Sequence, residues 1–194
     1  MASAIGDQWR KEFITVLQQR ENATSLKEAA LHQRLGAWTK ALTSVVIVTC
    51  DAIGWHASAK GHPLDAFPVS RGEYLALDVI AFEKGEKKWH FPVAIMELEN
   101  NQRDDLIAYA LWKLLCVRAQ LRILFCYRPS ADQAPTLVRF LRDQVVSGMN
   151  LDERSRLEGD TLVVVGNREE SAIFPYGFFK WWQLETNTGT FRLI

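Results

Sequence analysis

Three carboxylates in two neighbouring apolar segments are the residues with the clearest chemical reach. Asp78 lies inside Tyr74–Phe82, with Leu-Ala-Leu before it and Val-Ile-Ala after it, and Glu97 and Glu99 close the segment Phe91–Glu99. Both segments read as strands, bounded by charged or turn-forming residues. Alternation along a strand puts Asp78 on the face of Tyr74, Ala76 and Ile80, and puts Glu97 and Glu99 together on the face of Val93 and Ile95. A hairpin through the charged stretch Glu83–His90 would bring Asp78 opposite Glu97. Carboxylates grouped on a partly buried sheet face repel one another and are costly to desolvate unless something neutralises them. A divalent cation does so, and Mg²⁺ (or Mn²⁺) commonly takes one or two carboxylates, with water and phosphate oxygens completing its shell. The plainer alternative makes Glu97 and Glu99 an exposed strand end and Asp78 a hydrogen-bonded turn residue. The apolar flanks, including Val93-Ala-Ile-Met before Glu97, weigh against it.

These residues and the elements around them resemble the PD-(D/E)XK nuclease superfamily, the restriction-endonuclease-like fold. Its core runs helix, three-stranded meander, helix, strand, with an Asp on the second strand and an acidic-X-Lys triplet on the third. The resemblance covers about residues 26–128. Asp78 takes the place of the strand Asp and Glu97-Leu98-Glu99 that of the triplet, while Asp104–Ala119 stands for the following helix and Arg122–Tyr127 for the next strand. It implies metal-dependent hydrolysis of phosphodiesters in nucleic acid, with Asp78 and Glu97 holding the metal.

The departure is Glu99, where the family carries a Lys that orients the attacking water and offsets transition-state charge. Glu-X-Glu triplets occur in this superfamily, and the resemblance then gives Glu99 the task of general base or water positioner. Members also supply the Lys from the following helix. Lys113 falls on the stripe Leu106, Tyr109, Lys113, Val117, a cation in an otherwise apolar series. It either faces the carboxylates or snorkels to solvent from the helix flank. The second reading of the whole chain is a nuclease-like domain without catalysis, serving as a binding or assembly module. The family's first-helix Glu has no assigned counterpart: Glu28 is explained as a capping residue, and Glu12 and Glu73 are weaker candidates.

Other chemistries find little support. His32, His56, His62 and His90 lack metal-site spacing, and there is no Gly-X-Ser-X-Gly elbow, Walker loop or dinucleotide glycine fingerprint. Cys50, Cys116 and Cys126 stand far apart without a CxxC pair, which reads as free, buried thiols in a reducing compartment. Lys84, Lys87, Lys88 and Trp89 make a basic hairpin tip that either tracks a phosphate backbone or is a solvated turn. Phe178-Phe-Lys-Trp-Trp182 reads first as core or subunit interface, with a stacking platform as the functional alternative.

The elements that must position these groups are legible in outline. Asp7 caps a first helix bearing Trp9, Phe13, Val16 and Leu17, and Ser25 with Glu28 forms a capping-box pattern for a second, continued by Leu31, Leu35, Trp38 and Leu42. Ser44–Ile53 fits a helix ending at Gly54 better than a strand. Residues 55–73, with Gly61, Pro63 and Pro68, read as an irregular connection. Asp104–Ala119 is apolar nearly all round, which predicts burial on both sides. A helix from Pro135 to about Val146 lies between strands Arg122–Arg128 and Thr161–Val165, a parallel β-α-β unit. Asn187 to Gly189 mark a turn in the β-prone C-terminal segment.

The expected fold is α/β, a restriction-endonuclease-like mixed sheet flanked by helices, in a single domain over 1–194 with a C-terminal αβ extension at 129–194. The 194 residues suffice for a sizeable core, and 23 Lys and Arg balance 23 Asp and Glu. Zero net charge disfavours bulk electrostatic coating of DNA, so nucleic acid must be met through a local patch. No signal peptide or span of about 20 apolar residues is seen, which places the chain away from membranes and in the cytoplasm. A homodimer is left open.

Overall fold

The computed structural model describes residues 4–65, 74–85 and 89–194. Among them one seven-stranded sheet runs in sequence order: β1 (Trp55–Ala59), β2 (Val79–Glu83), β3 (Ala94–Leu98), β4 (Leu121–Arg128), β5 (Asp160–Asn167), β6 (Phe179–Glu185) and β7 (Thr190–Leu193). Strands β3, β4 and β5 are parallel to one another and the remaining neighbours are antiparallel. Helices α1 (Ala4–Gln18), α2 (Arg20–Leu31) and α3 (Leu35–Ala52) precede the sheet. Helix α4 (Asp104–Leu115) carries the chain from β3 to β4, and α5 (Gln133–Gln144) with the short α6 (Leu151–Ser155) carries it from β4 to β5. A helix, an antiparallel three-strand meander, a helix and a parallel strand follow in the expected order. Residues 129–194 contribute α5, α6, β5, β6 and β7, and these strands extend the same sheet.

Alternation divides the strands between two cores. Val79, Ala81, Ala94, Met96, Ile123 and Phe125 face α1 and α3, where Trp9, Phe13 and Trp181 pack against Phe125. Ile80, Phe82, Ile95, Leu124 and Val163 face α4 and α5. Phe13 is fully buried at the centre of the first cluster. Phe13→Ala is therefore expected to cost about 3–5 kcal/mol through lost transfer energy and the cavity left behind, measured by urea unfolding.

Several local expectations are corrected. Ser25 lies inside α2, which begins at Arg20; a break at Gln19 separates it from α1, and the Val16 carbonyl there accepts the Gln19 N–H at 3.2 Å and Asn22 Nδ2 at 2.9 Å. The stripe from Leu31 to Leu42 is interrupted where Gln33 turns to φ 53°, leaving Leu31 and Leu35 exposed. Trp55–Ala59 is a strand, not part of a loop, because Trp55, Ala57 and Ala59 fill the sheet edge next to β2. Helix α4 buries Ile107, Ala110, Leu111 and Leu114 but exposes Tyr109 and Trp112, since only one side of it meets the sheet. Cys50 and Cys126 are buried free thiols, whereas Cys116 is exposed at the end of α4. Glu73, Lys87 and Lys88 lie outside the described residues. No helix among the described residues is long and apolar enough to cross a membrane.

Candidate active site

The site begins with the pairing of β2 and β3. Val79 stands opposite Met96 and Ile80 opposite Ile95, so one further step in this register sets Asp78 against Glu97. The strand starts later than its sequence suggests. Residues 74–77 form a turn in which the Leu77 N–H donates to the Tyr74 carbonyl at 3.1 Å, and Leu75 and Ala76 both adopt positive φ, 57° and 52°. Two successive non-glycine residues there cost roughly 1–2 kcal/mol each. Asp78 thus sits at the strand's entry, exposed, with Oδ2 accepting the Leu98 N–H at 2.8 Å. That bond ties the mouth of β2 to the end of β3.

Glu97 is the buried member, only 7 % exposed on the α4 side of the sheet. Burial pushes its carboxyl up to about 7; the neighbouring Asp78 adds to the rise, and Lys113 opposes it. Lys113 reaches from α4 and places Nζ 2.8 Å from Glu97 Oε1, while donating a hydrogen bond to the Ala76 carbonyl at 2.8 Å. The lysine therefore points to Glu97 and not to solvent, and it also anchors the strained turn. Helix geometry explains the reach: side chains lean toward a helix's N-terminus, here toward the end of β3.

Glu99 follows at the end of β3. Its Oε1 accepts the Asn101 N–H at 2.6 Å and shapes the loop leading into α4, which Arg103 continues with a hydrogen bond to Asn101 Oδ1. Strand β3 ends at Leu98, yet the Glu99 N–H still donates to the Phe125 carbonyl of β4 at 2.9 Å, so Glu99 stands one step past the strand with its carboxylate engaged by the Asn101 turn. Arg128, largely buried at the end of β4, pairs with Asp104 and fixes the start of α4. The sequence offered no cue for the Ala76 carbonyl, which depends on backbone path, whereas Asn100 and Asn101 marked the end of the strand. Of the basic tip, Trp89 is 71 % exposed.

The donor set suits a hard, partly hydrated cation. Glu97 is buried, with Lys113 Nζ 2.8 Å from its Oε1. One exposed and one buried carboxylate leave most of a six-oxygen shell to water and phosphate, the pattern Mg²⁺ favours. Among the described residues no group of three His, Cys, Asp or Glu converges on one point, so an all-protein cage of the zinc type has no basis there.

The sequence matches no model of a known protein family and no curated protein. Among solved structures it is similar to Escherichia coli MS115-1 NucC in its cAAA-bound form, at 14 % identity and a TM-score of 0.47, over 94 % of this chain and 81 % of that one.

Proposed function

We propose that the chain hydrolyses phosphodiester bonds of nucleic acid with a divalent metal held by Asp78 and Glu97. The observation that supports this most directly is Lys113, whose ammonium is brought to a buried carboxylate beside an exposed one. A structural ion pair alone would seldom be built at a strand mouth with two residues in left-handed backbone. A bound Mg²⁺ or Mn²⁺ supplies Lewis acidity toward a phosphate oxygen and lowers the pKa of water. Asp78 and Glu97 provide the negative charge that holds such an ion at the sheet's edge. Lys113, fixed by the Ala76 carbonyl, contributes a cation where the transferring phosphate gains charge, the duty the triplet's missing lysine would have had. Glu99, half-buried at the loop, takes the role of positioning or deprotonating water.

The test is cleavage of single- and double-stranded DNA and RNA with Mg²⁺ and with Mn²⁺. The parent is expected to cleave at least one substrate, and Asp78→Asn to cleave none; activity surviving in that variant would belong to an impurity. Glu99→Gln keeps an acceptor for the Asn101 N–H, so the fold should hold while hydrolysis falls about 10²-fold, the lower end for a lost general base. The second reading, a binding module without catalysis, draws on Glu99 being engaged by the Asn101 turn. It predicts no metal-dependent cleavage by the parent on any of the four substrates.

A further inference from the structure

Tyr127 leaves a hydrogen-bond donor unused in the interior. Its ring lies against the bare backbone of Gly166, where a Cβ would come within 2.6 Å of Cδ1, and its hydroxyl reaches α3 and accepts the Trp38 Nε1–H at 2.8 Å. The phenol proton has no acceptor among the described residues, although the side chain is only 2 % exposed. A buried donor without a partner is costly unless something else supplies the acceptor. The half-buried Arg168 guanidinium stands over the same ring, 5.7 Å from its centroid, with no ion pair or hydrogen bond of its own among the described residues. Both side chains line a cavity of about 220 Å³. Ala29, Trp38 and Phe178 give it buried apolar walls, Leu31 and Leu35 stand exposed beside it, and the exposed Glu169 is the other charged residue on its lining. Trp38, Tyr127 and Phe178 belong to the α1–α3 side of the sheet, whereas Glu97 and Lys113 meet on the α4 side.

We infer that this cavity binds a small organic acid, a single carboxylate carried on an aromatic body about the size of one ring. Apolar walls with a few convergent polar groups are the ordinary build of a small-molecule site, and the volume falls below the ~300–1,000 Å³ of larger ligands. A guanidinium matches the two oxygens of a carboxylate, and the phenol O–H supplies one further donor to them. Trp38 and Phe178 offer aromatic surface for the ring. A phosphate monoester would bring up to two negative charges to one guanidinium with Glu169 close by, which favours the singly charged acid. Neither Asp78 nor Glu97 lines the cavity, so the inference stands apart from the hydrolytic reading.

The test is calorimetric titration of the full chain in EDTA with phenylacetate, beside phenylacetamide, phenyl phosphate and acetyl-triglycyl-phenylalanine. Phenylacetate should bind at least about tenfold more tightly than its neutral amide, as a charged acceptor facing two donors requires. Arg168→Gln should erase that preference, and Tyr127→Phe should weaken the acid about tenfold. Glu169→Gln removes a like charge and should tighten it. Ala172→Trp blocks the cavity from an exposed lining position and should abolish binding with an unchanged melting temperature. If Tyr127→Phe fails to fold because Trp38 loses its acceptor, the Arg168 and Ala172 variants still decide, since neither residue lies in the core. No binding of phenylacetate up to about 1 mM overturns the inference, as does undiminished binding in Arg168→Gln and Ala172→Trp. Weaker binding in Glu169→Gln, or tighter binding of phenyl phosphate than of phenylacetate, overturns the carboxylate assignment. Tighter binding of the peptide overturns the free acid in favour of a chain terminus.

Discussion

Lys113→Met is expected to lower metal-dependent hydrolysis about 10³-fold, comparable to deleting a preorganised donor from a transition-state site. It should also destabilise the metal-free protein, because Glu97 would be left buried beside Asp78 with no compensating charge. Breaking a buried pair by removing one partner costs about 3–5 kcal/mol, and the Glu97 carboxyl, already raised to about 7 with Lys113 beside it, rises further without that lysine, so ionising it in the variant costs more as pH rises. The loss should therefore be largest at pH 8 and shrink at pH 5, where the carboxyl is protonated. Glu97→Gln in the Lys113→Met background should recover most of the stability at pH 8 while restoring no activity, a non-additivity that belongs to contacting residues. Urea unfolding at the two pH values reads the first effect and oligonucleotide cleavage the second. A stability loss independent of pH would mean that Lys113 serves the Ala76 turn alone.

The second large effect is on the coupling of pH, metal and stability. Glu97 has an ordinary value of 4.5 in the unfolded chain and about 7 in the fold. Between these values the folded protein retains a proton that the unfolded chain has released. Stability of the metal-free protein must therefore fall as pH rises from about 4.5 to 7, and this contribution is flat above that range. The difference amounts to about 3 kcal/mol at 1.36 kcal/mol per pKa unit. Metal binding requires the ionised carboxylate, so Mg²⁺ should stabilise more at pH 8 than at pH 5.5. At a concentration one hundred times Kd the gain is about 2.7 kcal/mol, or roughly 5–10 °C in Tm for a chain of this size. Asp78→Asn should abolish most of the Mg²⁺ increment and keep the part of the pH slope that burial produces, losing the part that Asp78's charge adds. Glu97→Gln should abolish both. Calorimetric melting of the three proteins with Mg²⁺ and with EDTA decides it: an undiminished increment in Asp78→Asn would put the metal elsewhere.

The sequence by itself determined the order of elements apart from β1, and it set Asp78 opposite Glu97. Both follow from local physics: period-two alternation sorts strand faces, and an Asp among Leu, Ala, Val and Ile has few uncostly explanations. It also marked Lys113 as a cation on a helical stripe. Whether that lysine met the carboxylates or solvent depended on how α4 lies across β2 and β3, and on a turn at 74–77 whose carbonyl receives it. No sequence signal announces such a turn, since Leu75 and Ala76 are not residues that favour positive φ. Helix α4 looked buried all round because composition reports how apolar a helix is, not how many layers cover it; the sheet covers one side and Tyr109 and Trp112 stay outside. Ser25-Leu26-Lys27-Glu28 matched a capping box locally, yet the packing of Leu26 and Ala29 extended the helix back to Arg20. Glu99 gained its Asn101 partner for the same kind of reason: β3 ends at Leu98, where its partners β2 and β4 set its length, and the next carboxylate meets the backbone of the loop.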